Sequence, residues 1–108
     1  DIVNYRISQE QISSKIYEQM SLWLDNTGYK NFAKLYEKYA NEELIHAGFS
    51  KEFLLSYGVT PKLLTIPEQQ CEFESLQEIL EITMAHEEEI TRQCSELQEF
   101  ACKNNIPT

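Results

Sequence analysis

The sequence predicts an all-α protein, an up-and-down helical bundle with one long crossover and with three of the four helices such a bundle uses. Three observations carry this. Apolar residues recur at helical spacing over three long segments, while Gly28, Gly58, Pro61 and Pro67 fall in the gaps between them. One gap, residues 58–74, is long and has no helical period.

Helix one is expected from about Ser8 to Asp25, with Ser8 as N-cap ahead of Glu10, Ile12, Ile16, Met20 and Trp23. "DNTG" at residues 25–28 is the turn. Helix two is expected from about Tyr29 to Tyr57, with Phe32, Leu35, Tyr36, Tyr39, Ala40, Ala47, Phe53 and Leu54 as its apolar face and Gly58 as its C-terminal cap. At about 1.5 Å per residue it is roughly 42 Å long, which suits a bundle. "VTPKLLTIPEQQCEF" holds Pro61 and Pro67 and reads as an extended connection. Helix three is expected from Ser75 to about Lys103, opened by the S-x-x-E capping box of Ser75 and Glu78. Its stripe is Leu76, Ile79, Leu80, Thr83, Ile90, Cys94, Leu97 and Ala101. The tail "KNNIPT" reads as the opening of another loop.

Composition narrows the function. With 42% apolar and 11% aromatic residues the chain is expected to build one modest core over residues 1–108. A formal net charge of −9 argues against nucleic acid or an anionic membrane as partner, because the phosphate term would be repulsive, and it favours cations. The sequence has no long apolar run and "DIVNYRISQE" lacks the features of a signal peptide, so a cytoplasmic location is expected. Cys71, Cys94 and Cys102 have no C-x-x-C spacing and read as reduced thiols, with Cys94 placed for a core.

The chemistry starts at "NEELIHAGF". At about 100° per residue, Glu43 falls at the centre of the arc of Phe32, Tyr36, Ala40, Ala47 and Leu54. An ionised carboxylate there requires a cation or strong hydrogen bonds. His46 follows at i+3 and can reach the same ion, an E-x-x-H pair by which a bundle helix offers oxygen and nitrogen to one metal. A core histidine bonded to a backbone carbonyl is the competing reading. On helix three, His86 and Glu87 flank the Ile79, Thr83, Ile90 and Cys94 stripe, so that Glu87 can face inward while Glu88 and Glu89 turn to water. On helix one, Glu10 lies two turns before Tyr17 at the edge of the apolar stripe. Taken singly, "HEEE" is a solvated acidic face and Glu10 an acid favoured by the helix dipole. Carboxylates from three helices together favour a metal; oxygen ligands with one imidazole suit iron, manganese or zinc, and bridging carboxylates favour a pair of ions.

The residues also carry a family resemblance. "IYEQMSLWL", "NFAKLYEKYANEELIHA", "GVTP" and "FESLQEILEITMAHEEEIT" resemble the first helix, second helix, crossover and third helix of the non-haem ferritins, especially the bacterial type. The resemblance implies a ferritin-like bundle and iron storage and detoxification. A ferroxidase di-iron centre would oxidise Fe(II) with O2 or peroxide and deliver Fe(III) to a mineral, in a homo-oligomeric cage usually of 24 subunits. It further implies that Glu10 is the first-helix carboxylate, Glu43 the bridging carboxylate, His46 the imidazole ligand of the first iron and Glu87 the third-helix ligand of the second. Tyr17 and Trp23 match aromatics near the centre, Tyr17 as a hydrogen-bond or electron donor; core packing is the competing reading for both. Glu42 matches a ligand of an accessory third iron, against a solvated acid as the competing reading. His86 matches a position beside the ligands, not among them.

Two departures matter. The family continues into a fourth helix that this sequence does not contain, and Asp1 falls inside what is normally helix one; a dimer or helix swap would then cover the open groove. Leu44 stands where the haem-binding relatives place their methionine ligand, so no haem is expected. The competing function is a non-catalytic helical association module, whose groove binds a partner helix.

Overall fold

The computed structural model describes residues 2–103, with side chains for 3–93, 95, 96, 98 and 99. The expectations for Cys94, Leu97, Ala101 and Cys102, and for the tail beyond Lys103, lie outside the described residues. Among the described residues the chain is all-α, with α1 at Ile2–Asn26, α2 at Lys30–Ser56 and α3 at Leu76–Lys103. It divides into two compact units, Asp1–Phe73 and Glu74–Thr108. Among the described residues, no helix is long and apolar enough to cross a membrane.

The first unit is an antiparallel pair of helices. Its seam follows a repeat of seven on both partners. On α1 the buried residues Ile7, Ser14 and Ser21 alternate with Glu10, Tyr17 and Leu24; on α2 the buried Ala33, Ala40, Ala47 and Leu54 alternate with Tyr36, Glu43 and Ser50. Small residues in one row let the helices approach, and large ones in the other fill the space between them. Hydroxyls then fix the register: Ser14 Oγ donates to the Ala40 carbonyl at 2.9 Å, and Ser21 Oγ donates to the Ala33 carbonyl at 2.7 Å. Above this seam, Tyr17, Tyr36 and Tyr39 form an aromatic cluster with ring centroids 5.4–5.9 Å apart.

Ser8 is not the N-cap of α1. The helix already runs from Ile2, and Ser8 is buried in its interior. The misreading has a physical source: serines in this helix serve as small residues at a close seam, a role that leaves the same residue type as a cap. The last turns agree closely with expectation. Both α1 and α2 end in Schellman motifs, with Gly28 (φ 97°) and Gly58 (φ 72°) in the left-handed region. The Tyr29 amide donates to the Leu24 carbonyl at 2.9 Å and the Val59 amide to the Leu54 carbonyl at 3.0 Å.

The connection after α2 has no regular structure up to Ser75 but is held to the first unit. Asn4 and Lys62 exchange two hydrogen bonds, side chain to backbone, at 3.0 and 2.7 Å. Phe73 meets Trp23 edge to face at 5.9 Å between centroids.

In the second unit, the Ser75 hydroxyl accepts from the Glu78 amide at 3.1 Å, while the Glu78 carboxylate accepts from the amide of Glu74, one residue before the cap. Of the expected stripe, Ile79 is fully buried, Leu76, Thr83 and Ile90 are half-buried, and Leu80 is exposed. Farther along, Arg92 pairs with Glu89 and Glu96 one turn to either side, and the guanidinium holds the Glu89 carboxyl down at about 2.

Candidate metal centre

Glu10 and Glu43 occupy places in the seven-residue repeat where their helical neighbours Tyr17, Leu24 and Tyr36 are apolar or aromatic core. The fold therefore carries both carboxylates into the α1–α2 seam. Glu10 is 4% exposed, and Oε2 of Glu43 is buried. One turn on from Glu43, the exposed imidazole of His46 places Nδ1 3.7 Å from that oxygen. Glu10, Glu43 and His46 can each offer one ligand atom such that all lie within 4.8 Å of one another, and among the described residues this is the group of acids, histidines and cysteines able to do so.

Burial pushes the Glu10 carboxyl above the ordinary glutamate value, opposed by the Arg6 guanidinium, the Ser50 hydrogen bond and His46, and reinforced by the neighbouring Glu43. Two carboxylates brought together in a partly dry seam repel each other, and a positive ion between them relieves both the repulsion and the desolvation. The imidazole of His46, at the exposed side, carries a nitrogen of the kind that suits a transition metal beside oxygen donors.

That group of three does not include Glu42, Tyr17, Trp23 or Glu87. Glu42 is half-buried and lines a shallow groove on α2 with Lys38, Asn41 and Ile45. Tyr17 is buried in the tyrosine cluster and Trp23 is half-buried against Phe73. Glu87 is exposed on α3, where its carbonyl accepts from Thr91 Oγ1 at 2.9 Å, and His86 beside it is half-buried. The sequence reading missed Ser50, whose hydroxyl donates to Glu10 Oε1 at 3.0 Å. Its signal was its place seven residues after Glu43, on the same helical face.

A family model described as the ferritin-like domain matches residues 1–107. This chain belongs to the ferritin family. A bacterial non-heme ferritin of Escherichia coli is 31% identical to it over 107 residues, covering 98% of this chain and 65% of the relative. A probable bacterial non-heme ferritin-like protein of Haemophilus influenzae is 33% identical over 96 residues, covering 89% of this chain and 58% of that one. An open pore ferritin from the archaeon Archaeoglobus fulgidus superposes with a TM-score of 0.91 at 29% identity, over 96% of this chain and 63% of the other. This ferritin-family chain thus spans just under two thirds of the length of the relatives it matches.

Proposed function

We propose that the α1–α2 seam of this ferritin-family chain binds Fe(II) through Glu10, Glu43 and His46 and oxidises it for storage as Fe(III). The observation that carries this reading is the convergence of those three ligand atoms within 4.8 Å, with two of the three side chains drawn into the seam. Iron here is the substrate. Carboxylate oxygens stabilise the higher charge of Fe(III) over Fe(II), which makes the electron easier to give up, and the single imidazole keeps the site acceptable to Fe(II). Two Fe(II) ions sharing the Glu43 carboxylate would each give one electron to one O2, which takes up two protons and leaves as hydrogen peroxide.

In this reading Glu43 is the bridging group and Glu10 and His46 complete the first iron position. Glu42 is assigned to an accessory iron, and Tyr17, seven residues from Glu10, to hydrogen bonding or electron donation near the centre. Support for the family-wide role comes from the relatives, which are named as ferritins. A cage of copies in the cytoplasm is part of the same proposal, and exposed Leu22, Leu44, Ile45, Phe49 and Leu55 on the helix pair are suited to contacts between copies.

The test is an anaerobic Fe(II) titration of the full chain followed by admission of air. Saturable binding and ferric absorbance that are lost in Glu43→Ala and His46→Ala support the proposal. Equal binding in the wild type and both variants would leave the helical association module as the better reading.

A further inference from the structure

Hydroxyls on these helices mostly donate to carbonyls. Thr83 and Thr91 bond the carbonyl of the residue four before, at 2.7 and 2.9 Å, Ser56 bonds Phe53 at 2.7 Å, and Ser14 and Ser21 cross the seam to backbone oxygens of α2. Ser50 differs. Its Oγ lies four residues after His46 and seven after Glu43, on the face that carries both, and it reaches across the seam to a carboxylate, Oε1 of Glu10, at 3.0 Å. A serine in mid-helix has a local carbonyl within reach, so a proton directed to an acid on another helix is a built contact rather than the default.

The consequence falls on the carboxylate. A glutamate on α1 is free to rotate about its last bond, and an ion at the seam needs one of its oxygens aimed at the point where Glu43 and His46 converge. We propose that Ser50 is a positioning residue of the metal centre: its hydroxyl clamps Oε1 of Glu10, so that Glu10 coordinates the bound ion through one oxygen rather than as a two-oxygen chelate. The inference rests on the proposed metal-binding reading of the seam. Outer partners that orient a ligating group change affinity about 10- to 100-fold when removed.

Co(II), whose visible absorption reports coordination number, is the probe, titrated anaerobically into the full chain as wild type, Ser50→Ala, Ser50→Thr and Ser21→Ala, with a thermal melt of each. Ser50→Ala is expected to bind Co(II) about tenfold more weakly, with a fainter d–d band as Glu10 becomes free to chelate. Ser50→Thr, which keeps the hydroxyl, is expected to restore both. Ser21→Ala, which removes a register contact of the seam and touches none of the three ligands, is expected to weaken binding less than Ser50→Ala and to leave the d–d band unchanged. Affinity and spectrum in Ser50→Ala equal to wild type overturn the proposal; so does an equal change in Ser21→Ala, which would make the effect one of helix packing, and so does failure of Ser50→Thr to restore binding. Failure of the underlying metal reading is separable, because wild type would then show no Co(II) band dependent on Glu43 and His46.

Discussion

Ser14 donates its hydroxyl to the carbonyl of Ala40 at 2.9 Å across the α1–α2 seam, and seven residues along, Ser21 repeats the contact with Ala33. Both carbonyls belong to residues without bulk, so the helices sit close enough for a serine to span them. The same pairing carries Glu10 toward Glu43. The register of two neutral hydroxyls thus places the charged groups of the centre.

Ser14→Ala should therefore lower stability by about 0.5–1.5 kcal/mol, the net worth of one buried hydrogen bond. Ala40→Leu should cost more, roughly 1–3 kcal/mol, because added methylenes in a close seam force the helices apart. Thermal melts followed by circular dichroism measure both. Ala40→Leu is also expected to weaken metal binding although residue 40 touches no ion, and unaltered binding would show that the seam does not set the ligand geometry.

Removal of a ligand should act on binding with little effect on folding. Glu43→Ala and His46→Ala are each expected to reduce Fe(II) or Co(II) affinity by roughly 100-fold, at or beyond the upper end of what loss of an outer partner costs. Isothermal titration calorimetry reads the loss. A smaller effect for His46, which is the exposed member of the three, would indicate that the carboxylates alone hold the ion.

The metal-free protein should respond to pH through Glu10. Its carboxyl lies above the ordinary 4.5, chiefly through burial, so its contribution to stability is fully present below that value and is lost as pH rises through the higher folded one. Glu10→Gln, which is neutral and of the same shape, should then be more stable than wild type at neutral pH in the presence of a chelator. The difference should close as pH falls toward 4.5. Urea melts across that range check it; saturating metal should reverse the order, because the ion stabilises only the protein that keeps the carboxylate.

Gly58→Ala isolates a backbone effect. Nothing lies within 4 Å of a Cβ placed there, but φ is 72°, so the cost is that of a left-handed conformation with a side chain, about 1 kcal/mol. A melt that shifts by less than a Gly to Ala change in an ordinary exposed loop would mean that the Schellman motif opens without loss.

The division between what the sequence settled and what the tertiary structure decided is a physical one. Local rules settle local facts: apolar period and the placement of Gly28, Gly58 and the Ser75–Glu78 box are short-range, and they determined three helices, their order and most of their ends. Periodicity also placed Glu43 and His46 on a common face, since residues at i and i+3 meet on any helix. It did not determine the start of α1, because a serine has the same letter as an N-cap and as a small residue in a seam. It did not find Ser50, whose partner is 40 positions away in the chain. The convergence of Glu10 with Glu43 and His46 depends on the register of two antiparallel helices, and a slip by one turn, about 5.4 Å, would separate the ligands. That register is held by Ser14 against Ala40 and Ser21 against Ala33, contacts that exist only when the helices are packed.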